Sequence, residues 1–355
     1  MRGFRDKDFI ETLEGLLMCV IGNVHPKDRV ITYLKYIPSM SVDTPWRRER
    51  KGYLRILPHY GVLGYLSVVD FLKRNYPHYV IYDEVLNLEL IETPRNYIKK
   101  HYKPEERILD IIKEPKDKLE LLVKELVQEL SSLADVDVNN FGITGSILLN
   151  IHNPEISDID LVIYGHENAL KVKQILEREL ERGFKFRRIP EDVLEYLIES
   201  TRRVVPSLSR NEIEKMYKST VWRSMYRGKI FTIHPVKLEN EVQESYGDKL
   251  YRGMGEVLIK AKIIDDSESI YLPSVYKVDD VKFLQGEYSN VNIEEIVSYE
   301  GFYRDIARKN DYVYVYGKLE KVIDRKRDYE YYRVVVGSME LRGRDYIRLE
   351  NWIKS

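Results

Sequence analysis

Residues 141–163 read FGITGSILLNIHNPEISDIDLVI, and this stretch decides the fold of the chain. It begins with a glycine turn, continues with a short apolar run and ends in alternating acidic and apolar residues. Gly142 and Gly145 allow backbone angles and close approaches that a Cβ atom would forbid. Ser146 stands in the position of a helix N-cap, ahead of three apolar residues. Because Pro154 disfavours helical geometry in the residue before it, a short helix is expected between the turn and the proline.

The second half of the stretch is predicted to be a strand with one buried face. From Ile156 to Tyr164 the side chains alternate in character. Side chains two apart on a strand point to the same face, so Asp158 and Asp160 are expected to project together. Two carboxylates this close repel each other unless a cation or a shared proton relieves them. Mg²⁺ is commonly held by one or two carboxylates together with substrate phosphates. Since the turn at Gly145 and Ser146 offers free amide groups to a phosphate, the stretch indicates metal-assisted phosphoryl chemistry.

The order and spacing of these residues resemble a known family. Gly145-Ser146, eleven intervening residues and Asp158-Ile159-Asp160-Leu161 are similar to the signature of the DNA polymerase β superfamily of nucleotidyltransferases. The resemblance covers roughly residues 116–237. It implies that Gly145 and Ser146 contact a nucleoside triphosphate and that Asp158 and Asp160 hold two Mg²⁺ ions. The acceptor would attack the α-phosphate, and pyrophosphate would leave. The structural alternative is a capped helix followed by an edge strand with solvated acids.

The family usually places a third carboxylate on the strand beside the acidic one, and this chain departs from that pattern. The next predicted strand is Ile230–Val236, and residues 227–236 contain no Asp or Glu. Thr232 and His234 occupy the phase where the acid is expected. A neutral imidazole suits transition metals better than Mg²⁺, which prefers oxygen. The acids that could reach the site from a following element are Glu239, Glu241 and Glu244.

The composition indicates a globular protein with room for two or three domains. The chain has 355 residues, of which 43% are hydrophobic and 32% charged, and its formal net charge is −1. This balance argues against binding of nucleic acid by overall charge, although a local basic patch stays compatible with it. The single cysteine, Cys19, excludes an internal disulfide and a cysteine-based zinc cluster. Without a long apolar run or a signal-peptide core, the chain is predicted to be cytoplasmic and free of membrane contact.

The pattern of turns and apolar runs predicts an α+β protein with three domains. Residues 1–100 are expected to form a β-rich N-terminal domain, and residues 101–250 the polymerase-β-like nucleotidyltransferase domain. A proline-rich connection, Thr93 to Lys116, leads into the central domain. Residues 251–355 carry several short apolar runs separated by turn residues, which is typical of a small β-barrel or sandwich. A barrel of the OB type would suit single-stranded nucleic acid, but a fold does not fix a function.

Several further elements are predicted from local patterns. Residues 116–133 have leucines along one helical face. A helix over Glu167–Glu181 is expected to end at Gly183, and Ser209 is expected to cap another helix. The other predicted elements are a hairpin of Leu16–Val24 with Arg29–Tyr36, helices at Gly64–Lys73 and after Pro190, and strands at Phe184–Ile189, Glu256–Ile264, Ser269–Val278, Tyr312–Lys318, Arg333–Val336 and Tyr346–Leu349.

Two basic segments have an open interpretation. Trp46 to Lys51 contains four cations, and it is either a solvated loop or a contact for a phosphate backbone. Lys218 to Lys229 interleaves cations with Trp222 and Tyr226. That segment is either a helix with an aromatic core side or a wall that contacts triphosphate or acceptor. The first candidates for phosphate contact are Arg202, Arg203, Arg223 and Arg227.

The leading functional hypothesis is a Mg²⁺-dependent nucleotidyltransferase. It would transfer a nucleoside monophosphate from an NTP to a hydroxyl group of nucleic acid, protein or a small molecule, with RNA or DNA as the first acceptors to test. The alternative is a catalytically inactive module that binds nucleotide or RNA through the same core, and the absent third acid favours it. A third hypothesis is a scaffold that binds no nucleotide. The chain has no P-loop and no Gly-x-Gly-x-x-Gly turn, which argues against those nucleotide-binding classes.

Overall fold

The structure is a computed structural model that describes residues 2–41, 43–57, 59–286, 288 and 291–353. It is a mixed α+β protein, as the sequence predicts. Contacts between residues divide the chain into two compact units. The first unit comprises Met1–Leu57, Ile91–Ile189 and Val221–Gln243, and the second comprises Pro58–Leu90, Pro190–Thr220 and Glu244–Ser355. The division into three domains stays a prediction.

Eight helices and nineteen strands are found among the described residues. In chain order the helices are α1 (Val62–Asn75), α2 (Pro104–Lys113), α3 (Lys118–Ala134), α4 (Gly145–Leu148), α5 (His166–Arg182), α6 (Glu191–Val204), α7 (Arg210–Ser219) and α8 (Glu350–Ile353). The strands are β1 (Phe9–Thr12), β2 (Leu17–Val20), β3 (Arg29–Ser39), β4 (Trp46–Arg48), β5 (Lys51–Arg55), β6 (Val80–Asp83), β7 (Leu88–Pro94), β8 (Ile98–Tyr102), β9 (Phe141–Ile143), β10 (Ile159–Tyr164), β11 (Phe186–Arg187), β12 (Arg223–Tyr226), β13 (Lys229–Val236), β14 (Lys249–Asp265), β15 (Ser274–Gln285), β16 (Ile293–Ser298), β17 (Tyr312–Asp324), β18 (Tyr329–Val336) and β19 (Tyr346–Leu349). In the part of the chain that the structure describes, no helix is long and apolar enough to cross a membrane.

An antiparallel sheet at the N-terminus forms part of the first unit. Its strands follow the order β4-β5-β3-β2-β1-β8, and β7 also pairs with β3. The predicted hairpin is confirmed, since β2 and β3 pair with Cys19 opposite Tyr33. The prediction of a connection over Thr93 to Lys116 is wrong in part. Its residues Ile98–Tyr102 form β8, which pairs with β1, and Pro104–Lys113 form α2.

The second sheet of this unit holds the acidic strand at its centre. Its order is β11-β12-β13-β10-β9, and β10 runs parallel to β13 and antiparallel to β9. The strand begins at Ile159 rather than Ile156, because residues 154–156 form a turn. Leu161 to Tyr164 are all buried, so the alternation predicted for the whole strand stops after Asp160. A central strand that is covered on both faces has no reason to alternate.

The helices of the first unit begin and end at recognisable residues. The Asp117 carboxylate accepts hydrogen bonds from the N–H groups of Leu119 and Glu120, which starts α3. The helix buries one face, although the buried positions include Val123 and Val127 in addition to three of the predicted leucines. Burial of each such side chain stabilises the fold by about 1.5–3 kcal/mol. At its end α5 has Gly183 with φ +69°, as predicted for a glycine cap.

One hydrophobic cluster joins the N-terminal sheet to the segment that follows the glycine turn. From the sheet come Phe9, Leu17, Cys19, Tyr36, Tyr53 and Tyr102, and from the segment after the turn come Leu148, Leu149 and Ile151. All of these side chains are buried. A hydrogen bond from Arg47 N to Ile151 O, 3.1 Å long, ties the edge of the sheet to the same segment. The N-terminal sheet therefore packs against the residues that follow the glycine turn and holds them in place.

The second unit contains a closed barrel. The ring of strands is β14-β15-β16-β18-β17, closed by pairing of β17 with β14, and β19 extends it beside β17. The pair β16 and β18 is parallel and the remaining pairs are antiparallel. Five strands closed in this Greek-key arrangement form a barrel of the OB type. The predicted strands Glu256–Ile264, Tyr312–Lys318 and Arg333–Val336 lie within the longer β14, β17 and β18, Ser269–Val278 overlaps β15, and β16 was not predicted. Bulges interrupt the register along β14. In the same unit Ser209 caps α7 through a reciprocal pair of hydrogen bonds with Glu212, as predicted.

Candidate active site

The glycine turn lies directly after β9. Gly145 is the first residue of α4, with φ +68°, and the N-cap position belongs to Thr144. The Thr144 hydroxyl donates to the carbonyl oxygen of Lys7 over 2.7 Å. Ser146 therefore sits inside the first turn, and the prediction that it is the N-cap is wrong. Its side chain is partly exposed, so it stays accessible to a ligand.

The acidic strand approaches this turn very closely. A Cβ atom added to Gly145 would lie 2.7 Å from Oδ2 of Asp160, which is closer than real Cβ atoms come. The backbones are linked as well, because Thr144 N donates to Asp160 O over 2.8 Å. Glycine at position 145 is thus required twice, for its left-handed φ and for the space that the carboxylate occupies. The turn and one acid of the pair form a single site.

Both acids are accessible at the start of β10. Asp158 directly precedes the strand and its side chain is 45% exposed, whereas that of Asp160 is 30% exposed. Ile159 and Leu161, which flank Asp160, are fully buried. The two acids therefore face away from the core, as the sequence alternation predicts for these positions.

The two carboxylates differ in their ionisation. Burial raises the pKa of Asp158, and the negative charge of Asp160 raises it further, against the lowering effect of Arg223 and Lys229. Burial also acts to raise the pKa of Asp160. Its polar interaction with His234 and the positive charges of Lys35 and Arg223 outweigh burial, so the pKa of Asp160 lies below its ordinary value. Burial, more than the charge of Asp160, therefore keeps the pKa of Asp158 above its ordinary value.

The strand beside the acids carries no third carboxylate. Thr232 on β13 lies directly opposite Asp160, and His234 lies opposite Val162. The Nε2 atom of His234 is 3.8 Å from Oδ1 of Asp160. Thr232 and His234 therefore occupy the positions that the sequence assigns to them, next to the acidic strand.

The three glutamates that follow β13 are bound elsewhere. Glu239 accepts a hydrogen bond from Arg5 Nε over 2.8 Å, and Glu241 accepts one from His166 N over 2.8 Å. Glu244 lies in the second unit, where it pairs with Lys249. The expectation that one of them completes the acidic site is not supported.

Of the four arginines predicted to contact phosphate, Arg223 is the one that lies beside Asp158. It lies on β12 opposite Thr232, in the same cross-strand row as Asp160. Its Nη2 atom is 3.6 Å from Oδ2 of Asp158, and its buried Nε atom has no hydrogen-bond partner. The interpretation of Lys218 to Lys229 as a helix is wrong in most of its length, because α7 ends at Ser219 and β12 and β13 form a hairpin. The expected aromatic core side is present, since Trp222 is fully buried.

The other candidate arginines have different surroundings. Arg227 pairs with Glu125 over 2.5 Å, and Arg202, on α6 of the second unit, pairs with Glu199 over 3.1 Å. Arg203 is exposed on the same helix.

The interpretation of Trp46 to Lys51 as a loop is wrong, since these residues form the β4–β5 hairpin. Arg48 of that hairpin donates to the Tyr102 hydroxyl over 2.9 Å.

Two cations of the N-terminal sheet act on the acid pair, and sequence reasoning missed both. The charge of Lys35, on β3, lowers the pKa of Asp160, and the charge of Arg55, on β5, lowers that of Asp158. Lys35 is only 6% exposed, which is unusual for a lysine. The sequence signal that could have indicated its burial is its position inside the apolar run Arg29–Tyr36. Four cations from two sheets thus surround the acids: Lys35, Arg55, Arg223 and Lys229.

A second group of acids and histidine lies elsewhere in the first unit. Ligand atoms of Asp117, Glu120 and His152 all lie within 4.8 Å of one another, and no other set of this kind occurs among the described residues. His152 Nε2 is 2.8 Å from Asp117 Oδ2, and Glu120 pairs with Arg107. This group, called the capping cluster below, lies at the start of α3.

Comparison with known proteins identifies the central region. Residues 123–219 match the family model of the nucleotidyltransferase domain. The centre of this chain is a nucleotidyltransferase domain. The match contains the glycine turn and both aspartates, and the resemblance seen in the sequence is confirmed. An uncharacterized protein of Methanocaldococcus jannaschii is 29% identical over 354 residues, which cover 98% of this chain and 99% of that protein. No solved structure matches the chain.

Proposed function

We propose that the protein transfers a nucleoside monophosphate from an NTP to a hydroxyl acceptor. The acceptor oxygen forms a bond to the α-phosphorus, the bond from that phosphorus to the bridging oxygen of the β-phosphate breaks, and pyrophosphate leaves. The observation that carries the proposal is the contact between Gly145 and the Asp160 carboxylate. It brings a turn suited to phosphate and an acid suited to a divalent cation into one site.

The acid pair fits a divalent metal ion with a preference for oxygen ligands. Asp158 and Asp160 are both accessible, and the charge of one raises the pKa of the other, so a cation would relieve their repulsion. Mg²⁺ is the first candidate, because it is commonly held by one or two carboxylates and the phosphates of a substrate. When bound, such an ion orients the triphosphate and offsets charge that develops during transfer. A site for two ions, as the resemblance implies, would use the same two acids.

The remaining residues would bind and orient the substrate. The backbone amide of Ser146 and the accessible Ser146 hydroxyl are suited to phosphate oxygens. Arg223, with an unpartnered Nε atom 
and an Nη2 atom 3.6 Å from Asp158, is suited to a phosphate oxygen beside the acids. The interaction with His234 and the charge of Lys35 favour the ionised form of Asp160, which is the form that binds a cation.

A second candidate function is a binding module that has lost turnover. The observation that favours it is Thr232, which stands opposite Asp160 where the family usually has an acid. A hydroxyl group there contributes no negative charge to a metal site. Such a module would bind an NTP through the glycine turn and release no pyrophosphate.

Calorimetry and a pyrophosphate assay together separate these functions. The full chain is titrated with each of the four NTPs in the presence of Mg²⁺, and pyrophosphate release is then followed with RNA, DNA and small hydroxyl compounds as acceptors. Binding with release supports the transferase, whereas binding without release supports the module. Failure of every NTP to bind contradicts both.

Matched variants connect the result to the site. Asp158→Asn and Asp160→Asn should each abolish release, while Asp137→Asn should not change it. Asp137 is an exposed aspartate of the same unit, and its role as acceptor for Asn139 N is one that asparagine keeps. Full activity of both Asp158→Asn and Asp160→Asn would contradict the proposal.

A further inference from the structure

The outer surface of the barrel carries a row of tyrosines that the proposed function does not use. Tyr312, Tyr314 and Tyr316 alternate along β17 with Val313 and Val315, which are fully buried inside the barrel. The three tyrosines are partly exposed and therefore line one face of the strand. Successive rings on such a face are spaced about 6.6–6.8 Å apart along the strand.

Neighbouring strands widen this row into a continuous surface. On one side Tyr316 lies opposite Tyr346 of β19, with ring centroids 5.9 Å apart. On the other side Tyr314 and Tyr312 lie opposite Lys260 and Lys262 of β14. We call the surface formed by Lys260, Lys262, Tyr312, Tyr314, Tyr316 and Tyr346 the tyrosine face.

Cations lie between the rings of the tyrosine face. The Nζ atom of Lys260 is 4.9 Å from the ring centre of Tyr312 and 5.5 Å from that of Tyr314. Arg348, on β19, lies opposite Tyr314 and stacks on Tyr346 at 4.3 Å, while its guanidinium pairs with Glu212 and donates to the carbonyl oxygen of Ser207. These distances are those of cation–π contacts, which keep the positive charges next to the aromatic surface.

The acids around this face are already engaged. Glu350 accepts from Lys260 over 2.7 Å, Asp280 accepts from the Tyr312 hydroxyl over 3.2 Å, and Glu256 accepts from the Tyr316 hydroxyl. These bonds also fix the two tyrosine rings. Lys262 has no ion-pair partner within 4.0 Å among the described residues, so its charge is available.

Two surface clefts lie at the two ends of the row. One, of about 210 Å³, includes Tyr312, Leu349 and Glu350 in its lining. The other, of about 330 Å³, includes Leu258, Tyr316 and Tyr346. Tyr314 stands between them on the strand, so the row runs from one cleft to the other.

We propose that the tyrosine face binds single-stranded nucleic acid. Rings spaced along a strand offer one stacking surface per base, and Lys262, the cation of this face without an ion-pair partner among the described residues, is suited to a phosphate. The proposal concerns the second unit and does not depend on transfer at the acid pair. If both functions hold, the nucleic acid bound here is the class of molecule in which the acceptor hydroxyl should be sought.

The test is fluorescence anisotropy of the full chain with single strands of about twelve nucleotides, which covers the usual site size. Labelled oligouridylate and oligothymidylate represent RNA and DNA, and a duplex of the same length is the comparison. EDTA is present and NTP is absent, so transfer cannot contribute. We expect both single strands to bind better than the duplex, with a logarithmic salt slope of about −0.7 for one phosphate contact by Lys262.

Variants of the face decide where the strand binds. Tyr314→Leu should lower the affinity about tenfold by loss of one stacked base, while Tyr314→Phe should retain it. The matched control is Tyr329→Leu, since Tyr329 is an exposed tyrosine of β18 outside the tyrosine face. If Tyr314→Leu does not fold, Lys262→Glu replaces it and should lower both the affinity and the salt slope.

Three results would overturn the proposal. The first is absence of binding to either single strand at about 100 µM protein in low salt. The second is equal binding of duplex and single strand, which stacking does not explain. The third is binding that Asp160→Asn abolishes while Tyr314→Leu and Lys262→Glu leave it unchanged, because the strand would then occupy the acid pair. Binding by the Asp160→Asn variant with no pyrophosphate release by the wild type would leave this proposal intact and contradict the transferase.

Discussion

The first unit contains two places where two acids meet a histidine, and they differ in what the acids already do. In the capping cluster, Asp117 and Glu120 lie beside His152, and the ligand atoms are all within 4.8 Å of one another. At the acid pair, Asp158 and Asp160 are more open, and His234 is 3.8 Å from the nearer carboxylate. Distance alone would favour the capping cluster as the metal site.

The hydrogen bonds and ion pairs that the acids already make favour the acid pair, and not the capping cluster, as the metal site. The Asp117 carboxylate is occupied by two backbone N–H groups of α3 and by His152, and Glu120 is neutralised by Arg107. Among the residues that the structure describes, none donates such a bond to the oxygens of Asp158, and the Nη2 atom of Arg223 is 3.6 Å from Oδ2. Lone pairs that already accept hydrogen bonds are poor ligands unless those bonds are broken. Proximity of acids therefore indicates a metal site only where their oxygens are free to bind.

The largest expected difference between the two places is in catalysis. We expect Asp160→Asn to lower pyrophosphate release by at least about 10³-fold, on the order of 4 kcal/mol in the barrier, because one of two charged metal ligands is lost. Asp117→Asn should leave the rate unchanged. Initial rates at saturating NTP measure both variants. Equal losses would contradict the distinction drawn between the two places, and a loss in Asp117→Asn alone would move the site to the capping cluster.

The next effect is on stability and concerns the capping cluster. Glu120 is 1% exposed and Arg107 is 7% exposed, so Glu120→Gln leaves a buried charge without its counter-ion. The free energy of unfolding should fall by about 3–5 kcal/mol. The control is Glu125→Gln on the same helix, where an exposed pair with Arg227 contributes at most about 1 kcal/mol. Urea denaturation compares the two, and losses of equal size would contradict the comparison.

A gain-of-binding variant tests the acid pair from the opposite direction. His234→Asp places an oxygen ligand on β13 next to Asp160, and we expect it to raise Mg²⁺ affinity about tenfold. The control His234→Gln changes the shape without adding charge. Calorimetric titration with Mg²⁺ in the presence of NTP gives the affinities. Unchanged affinity in His234→Asp would mean that the two acids do not hold the ion.

The smallest effect separates the two acids from each other. Because the pKa of Asp160 is lowered in the folded state, its charge stabilises the fold above the ordinary aspartate range, and this is lost as the pH falls through the lowered pKa. The pKa of Asp158 is raised, so its charge at neutral pH destabilises the fold.

In EDTA at pH 7, Asp160→Asn should therefore lower the melting temperature and Asp158→Asn should raise it, each by a few degrees at most. Thermal melting followed by circular dichroism measures both. Shifts of the same sign in the two variants would show that their surroundings do not differ as described.

Local signals predicted the parts of the site that neighbours in sequence determine. The glycine turn and the two acids lie within a few residues of one another, and their spacing alone led to the family that the central region matches. Gly183 and Ser209 likewise act within one turn of the chain. Caps depend mainly on residues within one turn, so residue types located Gly183 and Ser209, whereas the predicted cap at Ser146 was displaced to Thr144.

Long-range pairing explains what the sequence could not provide. Arg223 to Tyr226 became a strand because they pair with β13, although the aromatic and basic residues there also suit a helix. Lys35 and Arg55 act on the acids from a sheet that precedes them by about a hundred residues, through a fold that no local pattern encodes. The start of β10 moved by three residues for a simpler reason, since the turn after Pro154 extends to Ile156.

The family match ends at residue 219, before β13, and this affects the design of a shorter version of the protein. A fragment of residues 123–219 would lack β13, and the hydrogen-bonding edge of β10 would be open to other chains, which favours aggregation. It would also lose the tyrosines of the N-terminal sheet that cover Leu148 and Ile151. The smallest portable version of this site is therefore built from three separate pieces of the chain, drawn from Met1–Leu57, Ile91–Ile189 and Val221–Gln243.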